Sequence, residues 1–191
     1  MTGWTAIIPL NLGRDCKTRL AGRLSRPARD ALVDTMARHV VEQVRAAHGI
    51  TELIILSPER PMIEGVRWRR DEGCGLNAEL AATQKTERVL FIHADLPLLD
   101  ARDIQALLDD ADSAGAAIAP DRACTGTNAL ALRQIEHGFV PQFGKGSFTR
   151  HCALLPGAAV VRRPGLALDI DTPDDFDFAA SVGALPIACP I

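Results

Sequence analysis

Two aspartates, Asp169 and Asp171, stand two residues apart just before Thr172-Pro173. On extended backbone this spacing sends both carboxylates to the same side. Adjacent anions repel unless a cation lies between them, and hard oxygen donors suit Mg²⁺. A third carboxylate, Asp95, follows the apolar run 89–94 (VLFIHA) and precedes Leu96-Pro97. Together they point to a metal site made of Asp95, Asp169 and Asp171. The plainer reading of Asp171 is a helix N-cap ahead of Pro173. For Asp174 and Asp175, support of the helix dipole is the reading adopted.

Cations gather elsewhere. Residues 11–19 hold Arg14, Lys17 and Arg19 with one glycine, and Arg23 lies close by. Positive charge where a strand turns toward a helix stabilises clustered phosphates. Neither a Gly-x-Gly-x-x-Gly fingerprint nor a P-loop is present, because Gly144-Lys145-Gly146 lacks the spacing and the hydroxyl residue. Two loops are rich in small polar residues. Residues 121–128 offer hydroxyls, an amide and Gly126, while residues 144–148 place Ser147 and backbone N–H groups before a helix, where a phosphate or carboxylate would bind. The set describes two anion sites around one metal centre.

These residues need a scaffold that brings them together, and the hydropathy pattern supplies one. Apolar runs predict strands at 5–10, 53–56, 89–94, 116–119, 129–132, 158–161 and 166–170. Helices are expected between them. The first is capped by Ser25 with Pro27 in its first turn, carries Leu32, Val33, Met36, Val40, Val44 and Ala47 at three- and four-residue steps, and stops at Gly49. Others are expected over 77–85, from Asp100 to Asp112, over 148–155 behind Ser147, and from Asp171-Thr172-Pro173 to Ser181. Strands that are apolar on both faces and alternate with helices imply an α/β fold. Its form would be a three-layer domain on a mostly parallel sheet, spanning residues 1–191 as a single unit. In such sheets ligands bind at the carboxyl ends of the strands, where the polar residues above fall.

A chain of 191 residues with 47% hydrophobic and 24% charged residues can bury a core and is too apolar for disorder. Its formal net charge of −3 argues against a nucleic-acid partner, and no apolar run is long enough to span a membrane. The first residues lack a basic flank or cleavage signal, so a cytoplasmic location is expected. Cys16, Cys74, Cys124, Cys152 and Cys189 are irregularly spaced, which favours reduced thiols over disulfides or structural zinc. Of the histidines only His93 and His151 lie near these segments, and neither is expected to be essential.

In combination these motifs resemble the 2-phospho-L-lactate guanylyltransferase family, with its phosphoenolpyruvate and 3-phosphoglycerate guanylyltransferase relatives. The resemblance runs from Ile7 to about Phe178 and is carried by Lys17-Thr-Arg-Leu20, Gly75-Leu-Asn77, Ala94-Asp-Leu-Pro-Leu-Leu99 and Ala119-Pro-Asp-Arg122. Thr125-Gly-Thr-Asn-Ala-Leu130, Phe143-Gly-Lys-Gly-Ser-Phe148 with His151, and Leu168-Asp-Ile-Asp-Thr-Pro173 complete it. It implies a nucleotide-diphospho-sugar transferase (GT-A-like) fold and Mg²⁺-dependent transfer of GMP from GTP to a small phospho-acid, in coenzyme F-420 biosynthesis. It also implies that Asp95, Asp169 and Asp171 hold the metal. Lys17, with Arg14 or Arg19, would face the triphosphate, Gly75 and Asn77 the nucleoside, and Thr127, Gly144 and Ser147 the phosphate of the acid. Two positions depart from the family pattern: Asn11 stands where a lysine is frequent, and Cys124 where a glycine is. A CTP- or sugar-phosphate-dependent nucleotidyltransferase and a non-catalytic nucleotide-binding domain remain alternative readings, and a homodimer remains open.

Overall fold

The computed structural model describes residues 3–12, 15–84, 87–136 and 138–185. The chain runs β1 (Trp4–Pro9), a 3-10 turn (Thr18–Leu20), α1 (Arg26–Ala46), β2 (Ile50–Ser57), β3 (Arg67–Arg70), α2 (Leu76–Thr83) and β4 (Val89–Ile92). It continues through α3 (Ala101–Ala114), β5 (Ala116–Pro120), β6 (Thr127–Leu132), α4 (Ser147–Leu154), β7 (Ala159–Val160), α5 (Pro164–Ala167) and α6 (Pro173–Ser181). Seven strands form one sheet in the order β3-β2-β1-β4-β6-β5-β7. Every neighbouring pair is parallel except those of β6, which runs antiparallel to both β4 and β5. That reversal brings the start of β6 to the edge where β1, β4 and β5 end.

Both faces of the central strands are covered, as their continuous apolar character requires. On β1, Ala6 and Ile8 pack with Val40, Val44, Ile104 and Leu107 of α1 and α3, while Ile7 points the other way, to Leu80 of α2 and to Phe143. A third cluster lies beyond the sheet and decides where the chemistry sits. Leu20 and Leu24 behind the 3-10 turn pack with Leu32 and Met36 of α1, with Leu168 and Ile170, and with Phe176 and Ala179 of α6.

Helix signals act much as the sequence implies. The Ser25 hydroxyl accepts from the Ala28 N–H with Pro27 in the first turn, Asp100 and Asp103 form a reciprocal capping box, and Gly115 ends α3 in the left-handed region. Four expectations are corrected. β3 was not expected, because Arg67-Trp68-Arg69-Arg70 is an edge strand without an apolar face. Residues 166–170 are not a strand, since Pro164 opens the short α5 and the chain then runs on extended without a ladder partner. Ser147 is the first helical residue of α4 and Gly146 its cap. At α6 the cap is Thr172, in a reciprocal box with Asp175, which leaves the Asp171 carboxylate free of capping duty. The expected end of the second helix, Lys85, falls outside the described residues.

Gly165 of α5 wedges against the segment that follows Asp95. A Cβ there would press on the Asp103 carboxylate and lie 2.6 Å from the Leu98 carbonyl oxygen. Gly165→Ala is expected to destabilise the fold by about 1–3 kcal/mol through this overpacking, read as a lower urea midpoint. An unchanged midpoint would show that α5 can shift freely.

Candidate active site

The loop after β1 delivers Lys17 with left-handed backbone (φ 53°), a conformation uncommon outside glycine. It is held from both sides. Leu20 N–H donates to the Lys17 carbonyl at 2.8 Å, and Arg29 of α1 grips the loop next to it. The Lys17 ammonium donates to Asp95, which follows β4, and to Asp171 at 2.6 Å. Burial works against its charge, yet the two carboxylates more than compensate and hold its pKa above the ordinary lysine value.

Asp169 joins this group by the alternation the sequence suggested, although no strand carries it. Leu168 and Ile170 are buried in the third cluster, so the intervening aspartates turn the other way. Ile170 N–H donates to the Asp95 carbonyl at 3.3 Å, which docks the segment beside the end of β4. The Asp169 carboxyl is pushed up to about 7, first by burial and then by the charges of Asp95 and Asp171, and Asn128 of β6 donates to it at 3.2 Å. Burial also penalises the Asp95 charge, but Lys17 and then His93 outweigh it and keep that carboxyl below its usual range. Oδ1 of Asp95 is buried without a hydrogen-bond partner. Among the described residues no three acidic, histidine or cysteine side chains surround one metal-sized point, because the Lys17 ammonium lies between Asp95 and Asp171.

Lys17, Asp95 and Asp171 line one end of a cavity of about 510 Å³, a size suited to a small ligand. Asp71, Gly73, Gly75 and Glu79 line another part, and Leu10 and Leu56 add apolar wall. The loop from β3 to α2 is braced by its own carboxylates: Glu79 Oε1 accepts from the Glu72 and Cys74 N–H groups, and Asp71 Oδ1 from Gly73 N–H.

The other expected residues sit apart from this cavity. Asn77 exchanges two hydrogen bonds with the Phe143 backbone, which makes it a brace for that loop. Thr127 and Ser147 are 2% and 1% exposed, at the starts of β6 and α4. They are drawn together by His151, one helical turn beyond Ser147, whose Nδ1 lies 2.9 Å from Thr127 Oγ1. The Gln142 N–H donates to His151 Nε2, so the ring proton is on Nδ1 and donates to Thr127, leaving the threonine's own proton to donate elsewhere. Gly144 holds φ 112° and accepts from Ser147 N–H. The Phe143 ring touches His93 and His151, with centroids 5.3 and 5.0 Å away, and so stands at the boundary between this polar group and the cavity. Arg19 is exposed on the 3-10 turn and does not line the cavity, and Arg14 lies outside the described residues. Sequence reasoning missed Arg29, and it offered the Asn128 amide for a ligand without seeing its place against Asp169. Each carried a signal: a cation on the apolar stripe of α1, and an amide opening an otherwise apolar strand.

Comparison with known proteins gives the family and the fold. Residues 4–177 match a family described as guanylyl transferase CofC like. A phosphoenolpyruvate guanylyltransferase of Sphaerobacter thermophilus is 35% identical over 187 residues, covering 90% of either chain. One from Rubrobacter xylanophilus is 38% identical over 188 residues with the same coverage. Among solved structures, a Desulfovibrio desulfuricans G20 protein described as of nucleotide-diphospho-sugar transferase type superposes with a TM-score of 0.75 at 15% identity, over 96% of this chain and 88% of its own. The Mycobacterium tuberculosis H37Rv protein Rv0371C, in complex with manganese, gives 0.61 at 17% identity over 93% and 97%. Both share the fold.

Burial, and then the nearby Arg150 charge and His93, push the His151 pKa down to about 4 from an ordinary 6.5. The unfolded chain therefore takes up this proton first as pH falls. The stability His151 contributes is complete above about 6.5 and is lost on acidification toward 4. In urea titrations the stability gap between wild type and His151→Gln should narrow by on the order of 1–2 kcal/mol from pH 7 to pH 4.5. A gap independent of pH would refute a buried neutral imidazole.

Proposed function

The chain belongs to the CofC-like guanylyl transferase family, and from that premise we propose that it transfers GMP from GTP to the phosphate of a small phospho-acid with release of pyrophosphate. The observation that carries the reading is the Lys17–Asp95–Asp171 group at one end of the cavity, in a chain whose curated relatives are phosphoenolpyruvate guanylyltransferases. Phosphoenolpyruvate is accordingly the first acid to try, ahead of 2-phospho-L-lactate and 3-phosphoglycerate. The product would enter coenzyme F-420 biosynthesis, a cytoplasmic pathway needing neither nucleic acid nor membrane.

The carboxylates suit a divalent cation in kind, although among the described residues they are spaced around the Lys17 ammonium and do not surround one metal-sized point. Asp95 Oδ1 is buried without a partner, Asp95 and Asp171 share the single charge of Lys17, and the charges of both push up the Asp169 carboxyl. Asp95, Asp169 and Asp171 would hold Mg²⁺, and the manganese complex of a protein of the same fold supports a divalent ion in this family of structures. When bound, such an ion supplies charge neutralisation for the departing pyrophosphate. The chain's own part is to bind and orient. Lys17 faces the triphosphate, Gly75 and the braced loop 71–75 meet the nucleoside, and Asn77 fixes the Phe143 loop. Thr127, Gly144 and Ser147 bind the phosphate of the acid. That phosphate has a second pKa near ~6 and is already an anionic nucleophile at neutral pH, so no histidine has to remove a proton.

Incubation with GTP, Mg²⁺ and each of the three acids should release pyrophosphate with at least one, and mass spectrometry should show the guanylylated acid. No release with any of them would overturn the reading. Asp171→Asn should lower turnover at least a hundredfold in a folded protein, a loss of about 2.7 kcal/mol or more in transition-state stabilisation. Normal activity would remove Asp171 from the site. Lys17→Ala should weaken GTP and Ser147→Ala the acid, each by about tenfold or more for a lost charge-assisted bond. If both variants weakened the same substrate, the division into two subsites would be wrong.

A further inference from the structure

We infer that Arg29 is a positioning residue for Lys17, acting from α1 through the loop that carries it. The guanidinium is 5% exposed and spends all three nitrogens on one stretch of chain. Nε donates to the Cys16 carbonyl at 3.1 Å, Nη1 to the Leu24 carbonyl at 3.1 Å and Nη2 to the Asp15 carboxylate at 2.6 Å. These acceptors bracket Lys17: the residue before it, the one before that, and the end of the following turn. A planar fork of fixed donors can hold three acceptors in one arrangement, which a single flexible ammonium cannot do.

The arrangement matters because Lys17 is in the left-handed region with no glycine to ease it. Such a conformation persists where the surroundings over-determine it. Besides Arg29, Cys16 Sγ donates to the Asn11 carbonyl and Leu20 N–H to the Lys17 carbonyl. With this backbone fixed, the side chain reaches Asp95 and Asp171 together. Arg29 is rooted beside Leu32 and Met36, which pack with the Leu168–Ile170 side of the aspartate segment. The cation and two of its carboxylate neighbours are thus referenced to the same helix. The inference rests on Lys17 being the nucleotide-facing cation of the proposed reaction, but its test does not need that reaction.

The chain has three lysines, Lys17, Lys85 and Lys145, and Lys145 is exposed. Acetylation by an N-hydroxysuccinimide ester, mapped by peptide mass spectrometry, therefore reads Lys17 against an internal reference. In the wild type Lys17 should react far more slowly than Lys145, because its ammonium is tied to two carboxylates. Arg29→Gln should raise the Lys17-to-Lys145 rate ratio about tenfold, the worth of one released charge-assisted bond. Asp15→Asn, a half-exposed and gentler change, should raise it in the same direction and decides the matter if Arg29→Gln does not fold. An unchanged ratio in a folded variant overturns the inference. Kinetics give a second readout: in a Lys17→Ala background, Arg29→Gln should alter kcat by less than about twofold, because residues acting through one another are not additive. Full additivity would mean that Arg29 supports the fold and not Lys17. Absence of guanylyl transfer by the wild type would sink the proposed reaction and leave the labelling result to judge Arg29.

Discussion

Through its bonds to Asp95 and Asp171, the Lys17 ammonium joins segments 78 and 154 residues away along the chain. An ion pair could not by itself meet the entropy of closing such loops. The scaffold does so first, by running β1 beside β4 and docking the extended segment 168–170 against α1 and α6. Once there, the carboxylates impose a constraint of their own. Burial penalises the charges of Asp95 and Asp169, Lys17 offsets that penalty at Asp95, and the 3-10 turn behind Lys17 is built into the hydrophobic cluster that holds the segment carrying Asp169 and Asp171. Electrostatics and packing therefore specify the same arrangement.

The opposite flank follows another logic. Thr127, Ser147 and His151 form a neutral, nearly dry group held by directional hydrogen bonds, with the tautomer of the imidazole set by a backbone donor. Gly126 permits the tight loop that leads into β6, since a Cβ there would strike the Asp121 carboxylate that accepts from Thr125 and Gly126. Phe143 touches the rings of both His93 and His151, so one aromatic side chain, anchored by Asn77, links the charged end of the cavity to the neutral group.

Much of this was legible in the sequence because it depends on local chemistry. Caps, glycine stops and continuous apolar strands act within a few residues, and they placed β1, β4, β5, β6, α1 and α3 well. The aspartate pair was legible for a subtler reason: alternating Leu168 and Ile170 turn Asp169 and Asp171 outward whether or not a neighbouring strand pairs with them. What escaped was set by tertiary context. The reversal of β6 leaves no mark in its own composition. Arg29 finds its acceptors in a loop preceding its helix, which its place on the α1 stripe does not foretell, and the Asn128 amide takes its role from the Leu166 and Ala167 carbonyls and Asp169. Asn77, legible as a polar residue at the start of a helix, turned out to serve the Phe143 backbone.

The two margins of the sheet differ from its centre in a way that bears on solubility. At one margin β3 presents Arg67, Arg69 and Arg70 around a single tryptophan, and at the other β7 is only two residues long. Unpaired strand margins invite lateral addition of another chain and, in the worst case, fibrillar growth. A row of like charges repels a second copy of itself, and two residues offer too short a template to nucleate pairing. The sheet can thus remain strongly apolar through its middle, as its buried strands demand, without becoming a seed for aggregation.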